Sequence, residues 1–175
     1  VESQLGMLPN STLTMAYRPD IAEAFATLNA VVMGPGRVDG GLKQLVALMA
    51  SSAAGCAYCQ AHTSHVAQMR GEDLARIEAV WEFETSELFS AADRAALRVA
   101  RGAGLAPNAV TDEEFAELAE HFDPEQIVEL VAAISVFGYL NRWNETMATT
   151  LESSPLAFAE EHLGDRGWEV GKHHR

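Results

Sequence analysis

Cysteine is scarce: the chain of 175 residues has two, Cys56 and Cys59. Two thiols in a chain of this length make no disulfide framework. Basic residues are scarce too, with 12 Lys+Arg against 25 Asp+Glu and a formal net charge of −13. A nucleic-acid groove or an anionic membrane surface needs clustered Lys and Arg, so neither is expected as a partner. No apolar stretch approaches the ~18 residues of a membrane span. The opening VESQLGMLPN has neither a basic nor an apolar signal region, and reads as no signal peptide. Sustained alternation with β-branched enrichment is also missing, which argues against strands.

What is present fits a globular protein: 48 % apolar and 21 % charged residues. The chain is expected to form a single all-α domain over residues 1–175, with a core over about 20–151 and a C-terminal extension over 152–175. Asp20 is placed to cap a helix bearing Ile21, Ala24, Phe25, Leu28 and Val31, ended by Gly34-Pro35-Gly36. A second apolar run covers Leu42 to Ala54, and a third helix is expected from about Cys56 to Met69. Short helices follow near Glu72–Trp81 and Ala91–Arg101, then a linker at Gly102, Gly104 and Pro107. Thr111 with Glu114 reads as a capping box. Asp123-Pro124 with Gln126 is the best helix start in the chain. The helix it opens is expected to reach Leu151, about 40 Å at 1.5 Å per residue. Its first half is apolar on nearly every side, so it belongs in a core or an oligomer interface. After Pro155 the pattern suggests a short helix and a mobile, His-bearing end.

The chemistry concentrates in A-A-G-C-A-Y-C-Q-A-H-T-S-H-V-A, Ala53 to Ala67. Gly55 breaks one helix and Cys56 begins the next. A helix start offers unpaired N–H groups and partial positive charge, which favour a thiolate. Cys59 lies one turn on, near the same face. One sulfur can attack a substrate while the other closes a disulfide on the product. His62, one turn further, can accept or relay the proton; His65 follows by three more residues. Zinc is the obvious rival ligand, but Cys56, Cys59, His62 and His65 spread over roughly half of one helix circumference and cannot close a tetrahedron alone. No metal is expected. Trp81, Phe83 and Phe89 are candidates to line a hydrophobic mouth, though aromatics at such spacing more often pack a core. Asn141 and Asn144 are candidates to cross-link helices or touch substrate.

The G-C-A-Y-C-Q-A-H-T core at Gly55–Thr63, with F-S-A-A-D-R-A-A-L at Phe89–Leu97 and N-R-W-N-E-T at Asn141–Thr146, resembles the AhpD-like / carboxymuconolactone decarboxylase family. The resemblance implies an AhpD-like oligomeric helical bundle, usually a homotrimer or hexamer. It implies a thiol peroxidase without cofactor, cycling through an intramolecular disulfide, in which Cys59 attacks and Cys56 resolves. The helix-start argument alone favours Cys56 as the more acidic thiol, so that assignment stays open. Two positions depart from the family pattern. The usual relay Glu, twelve residues before the first Cys, is Gln44, which cannot shuttle a proton. The usual His position, four beyond the second Cys, is Thr63, with His62 one earlier. Glu82, Glu84 and Glu145 are candidate replacement acids, and Tyr58 a candidate lining residue.

The expected activity is therefore reduction of small organic or hydrogen peroxide by a Cys56–Cys59 dithiol, recycled by an external dithiol or electron-donor protein in a cytoplasmic setting. A carboxymuconolactone-type decarboxylase acting on a small lactone acid and a non-catalytic redox sensor are the alternatives.

Overall fold

A computed structural model describes residues 8–174, all of whose regular elements are helical. In chain order they are α1 (Asn10–Met15), α2 (Pro19–Met33), α3 (Gly40–Ala53), α4 (Ala57–Met69), α5 (Leu74–Glu78), α6 (Ala91–Gly104), α7 (Asp112–His121), α8 (Pro124–Met147) and α9 (Ser153–His162), with three short 3-10 turns. No helix among the described residues is long and apolar enough to cross a membrane.

The centre is α3. Every residue from Leu42 to Ser51 is buried, which for a helix requires neighbours on all sides. These are α4, α6 and α8. Asp39 caps α3 by accepting from the Gly41 and Leu42 N–H groups. Two polar residues ride into the interior on this helix. Lys43 is 1 % exposed, and its ammonium donates to the Val32 and Gly34 carbonyls and pairs with Glu129 at 3.0 Å. Gln44 is 3 % exposed. At the other end of α3, Gly55 takes φ +72° and turns the chain into α4.

Several boundaries differ from the sequence expectation. Pro19 stands in the first turn of α2, where its missing N–H costs nothing, so Arg18 and not Asp20 is the N-cap. The Gly102–Gly104 segment is helical rather than a linker. A Cβ at Gly104 would meet the Ala50 carbonyl oxygen at 2.5 Å, so its smallness lets the end of α6 lie on α3. The helix opened by Asp123 has the full capping box with Gln126 but ends at Met147, about 36 Å long at 1.5 Å per residue. Ala148 there adopts the left-handed conformation, φ 46°, the geometry usually given to Gly. The chain therefore reverses before Leu151. The C-terminal end is tied down rather than loose: Trp168 Nε1 donates to the Ala57 carbonyl, and Leu151 N–H to that of His173.

Candidate active site

Cys56 is the N-cap of α4, its sulfur accepting from the Cys59 N–H at 3.3 Å. Cys59 sits one turn in, and Asn144 Nδ2 of α8 reaches its sulfur at 3.4 Å. Both thiols are free and buried, Cys56 at 0 % and Cys59 at 1 % exposure. They differ in access. Cys59 lines a cavity of about 100 Å³ enclosed by α1, α2, α4 and α8, and Cys56 does not. Burial pushes the Cys59 thiol well above its usual range; the adjacent Cys56 adds to the rise, and the Asn144 amide opposes it. The ready thiolate expected from the helix start is thus offset at Cys59 by desolvation, and a base beside it has a task to perform.

That base is positioned by residues distant in sequence. His62 lines the same cavity. Its Nε2 lies 2.6 Å from Oε2 of Glu152, a residue ninety positions away in the loop after α8. The Tyr58 ring stacks on the His62 ring, centroids 4.5 Å apart, and its hydroxyl donates to Glu152 Oε1 at 2.9 Å. Glu152 also accepts from the Asn10 N–H, and Tyr58 oxygen from the Ser11 N–H. Burial is the largest influence and raises the Glu152 carboxyl, but the bond to His62, the His62 charge and the Asn10 N–H together outweigh it and hold the group below the ordinary carboxylate range. Burial also raises the Tyr58 hydroxyl, with Glu152 adding to the effect, so Tyr58 remains a phenol and a donor. An ionised Glu152 makes Nε2 the donor of this bond, and His62 Nδ1 takes no hydrogen bond from the described residues.

The sequence-based candidates divide accordingly. Cys59, His62, Tyr58 and Gln44 share the cavity, and Cys56 lies directly behind Cys59. His65 does not join them: its ring packs on Phe158 with centroids 5.5 Å apart, and its buried Nδ1 has no partner. Glu84 is held by Arg98 and Arg101, Glu82 by Arg166, and Glu145 by Lys172 and His173, so none of these replaces the relay acid. Phe83 and Phe89 are core residues, and Trp81 donates to Ser52 Oγ at 2.7 Å; Phe25, Phe137 and Tyr58 supply the aromatic lining instead. Glu152 escaped the sequence reading because no local spacing links it to His62. Among the described residues no three His, Cys, Asp or Glu side chains are grouped to hold a metal.

Comparison with known proteins bears on the family and the fold. The family model described as "Carboxymuconolactone decarboxylase family" matches residues 19–102. YdfG of Bacillus subtilis strain 168, an uncharacterized protein, is 34 % identical over 104 residues, covering 58 % of this chain and 68 % of YdfG. The chain belongs to the carboxymuconolactone decarboxylase family. Among solved structures it is similar to the debrominase Bmp8, with 39 % identity and a TM-score of 0.87 over 91 % of this chain and 86 % of that one. A cysteine-to-alanine variant of Bmp8 has been solved with 2,3,4-tribromopyrrole. An AhpD-core, peroxidase-related protein of Ralstonia eutropha JMP134 is similar at 26 % identity and a TM-score of 0.72, covering 83 % of this chain and 77 % of that one. The fold is that of the AhpD-like proteins.

Proposed function

We propose that this protein is a dithiol-dependent reductase of small organic substrates, in which Cys59 attacks and Cys56 resolves. The observation that carries the reading is access: Cys59 faces the cavity beside His62, and Cys56 sits one turn away behind it. His62 Nδ1 takes the thiol proton, and Glu152 holds the ring in the required tautomer and stabilises the imidazolium. The Asn144 amide donates to the sulfur as it gains charge.

With an organic hydroperoxide, the Cys59 thiolate takes the terminal oxygen. The O–O bond breaks, the alcohol leaves with the proton from His62, and Cys59 becomes a sulfenic acid. Cys56 then displaces water to give the disulfide. Two thiols are oxidised for one hydroperoxide reduced, and an external dithiol restores them.

A second reading is favoured by the likeness to Bmp8, which exceeds that to the AhpD-core protein. The bond broken is then carbon–bromine on an aromatic ring. Cys59 takes the bromine, the ring carbon gains a proton, and Cys56 displaces bromide to form the same disulfide.

Turnover of cumene hydroperoxide and of tribromopyrrole, each with excess dithiothreitol, separates the two. The first reading predicts cumyl alcohol, and the second predicts bromide release. Cys59→Ser abolishes either, and loss of neither product in that variant contradicts both.

A further inference from the structure

The cavity walls carry an unbalanced charge. Among the described residues no acidic side chain lines the Cys59 cavity, although Glu152 stands behind His62. One guanidinium does line it. Arg70, at the C-terminal end of α4, also borders the adjoining surface hollow between α2 and α3, so it stands at the outer edge of the cavity.

Among the described residues Arg70, Arg94 and Arg142 have backbone carbonyls and no carboxylate as partners, and of these three Arg70 lines the Cys59 cavity. Arg37, Lys43, Arg76, Arg98, Arg101, Arg166 and Lys172 are each held by a carboxylate. Arg70 has no carboxylate partner among the described residues. Its Nη1 donates to the Met33 carbonyl at the end of α2, at 3.0 Å. That bond caps α2 and fixes the guanidinium, leaving its other N–H groups uncommitted. Burial lowers its pKa, with no carboxylate raising it in compensation.

The reacting sulfur and this guanidinium lie on one face of one helix. Cys59, Thr63, Val66 and Arg70 fall at i, i+4, i+7 and i+11 of α4, and all four line the cavity. Eleven residues of helix rise by about 16 Å, which the long arginine side chain shortens. Between the two ends α4 presents Thr63 and Val66, and Met33, Phe25 and Leu140 add apolar surface to the lining.

We infer that the substrate is an amphiphile: an apolar body with its reducible bond at Cys59 and a carboxylate at its other end, received by Arg70. The planar fork of a guanidinium matches a carboxylate, and an acid-free wall spares that anion local repulsion. The inference rests on the dithiol-reductase reading in treating the bound carboxylate as part of the substrate.

The test is calorimetric titration of the reduced protein with hexanoate and with hexanamide, its neutral counterpart. Hexanoate is expected to bind about tenfold more tightly, the factor one charge-assisted hydrogen-bonded contact supplies. Arg70→Met should erase the preference and leave hexanamide binding unchanged. Arg70→Lys, which keeps the charge but not the fork, should retain part of it and serves if Arg70→Met fails to fold. Raised salt should weaken hexanoate alone. Equal affinities, no binding of hexanoate, or a preference that survives in Arg70→Met overturns the inference. Failure of the reductase reading shows elsewhere, as no turnover of either cumene hydroperoxide or tribromopyrrole by the wild type, and the titration reads Arg70 in either case.

Discussion

At the scale of single residues, the site trades one carboxylate for another. The family resemblance implies a relay acid at the position of Gln44, and here Glu152 reaches His62 from a different part of the chain. Glu152 touches no cavity space itself, so it is a positioning residue acting through His62. Glu152→Gln keeps the shape and removes the charge. It is expected to lower kcat about 100-fold, within the range of general acid–base effects, with KM little changed. Glu152→Asp should recover part of the loss. A purely structural role would instead lower thermal stability in step with activity. By the same reasoning, introducing an acid with Gln44→Glu should add little, since the imidazole already has its carboxylate.

At the scale of elements, α3 depends on an ion pair it cannot solvate. Glu129 of α8 accepts from the Arg37 and Val38 N–H groups and pairs with buried Lys43, which holds the 34–38 turn against α8. The two backbone N–H groups lower the Glu129 carboxyl most; burial opposes them and Lys43 reinforces them, leaving it at about 2 against an ordinary 4.5. A carboxylate depressed in this way stabilises the fold fully above its unfolded pKa, and that stability is lost as pH falls through the folded value. Glu129→Ala should therefore cost about 3 kcal/mol at neutral pH, the lower end for stranding a buried charge. It should also flatten the acid dependence of unfolding between about pH 4.5 and 2. Urea unfolding across that range checks both. Legibility at this scale follows the same divide between local and distant. The capping boxes of α7 and α8 and the start of α4 are written in adjacent residues, and the sequence predicts each. The end of α8 is not, because Ala148 adopts a left-handed conformation that its side chain gives no reason to expect. That one turn brings Glu152 back to His62, so the missed boundary and the missed acid have a common physical origin. Gly102 and Gly104 mislead for a related reason: glycine marks a breaker in sequence but a close helix contact in space.

At the scale of the whole molecule, two features point outward. Ile21, Leu28 and Val31 of α2 and Val128, Val131 and Tyr139 of α8 are exposed, and α2 and α8 border a shallow apolar hollow between them. We propose that this face is covered by further copies of the chain, in keeping with the homotrimer or hexamer implied by the family resemblance. Light scattering at micromolar concentration should then give a multiple of 18.9 kDa, and Val128→Glu or Leu28→Glu should lower it toward one copy; a wild-type monomer contradicts the proposal. The second feature is the C-terminal end, which packs His173 beside Tyr58 and bonds it to Glu145. Residues beyond 151 thus pack on α4, the helix that carries Cys59.

The central claim is that Cys56 and Cys59 together supply the two electrons of a reduction. Fully reduced protein, free of external thiol, is mixed with less than one equivalent of cumene hydroperoxide and, separately, of tribromopyrrole, and product, free thiol and the mass of the peptide holding both cysteines are measured together. The account predicts, for at least one substrate, one product formed for each Cys56–Cys59 disulfide, with two thiols lost and no other residue modified. Product formed with both thiols retained, or both substrates left unreacted while the thiols stay reduced, would contradict it.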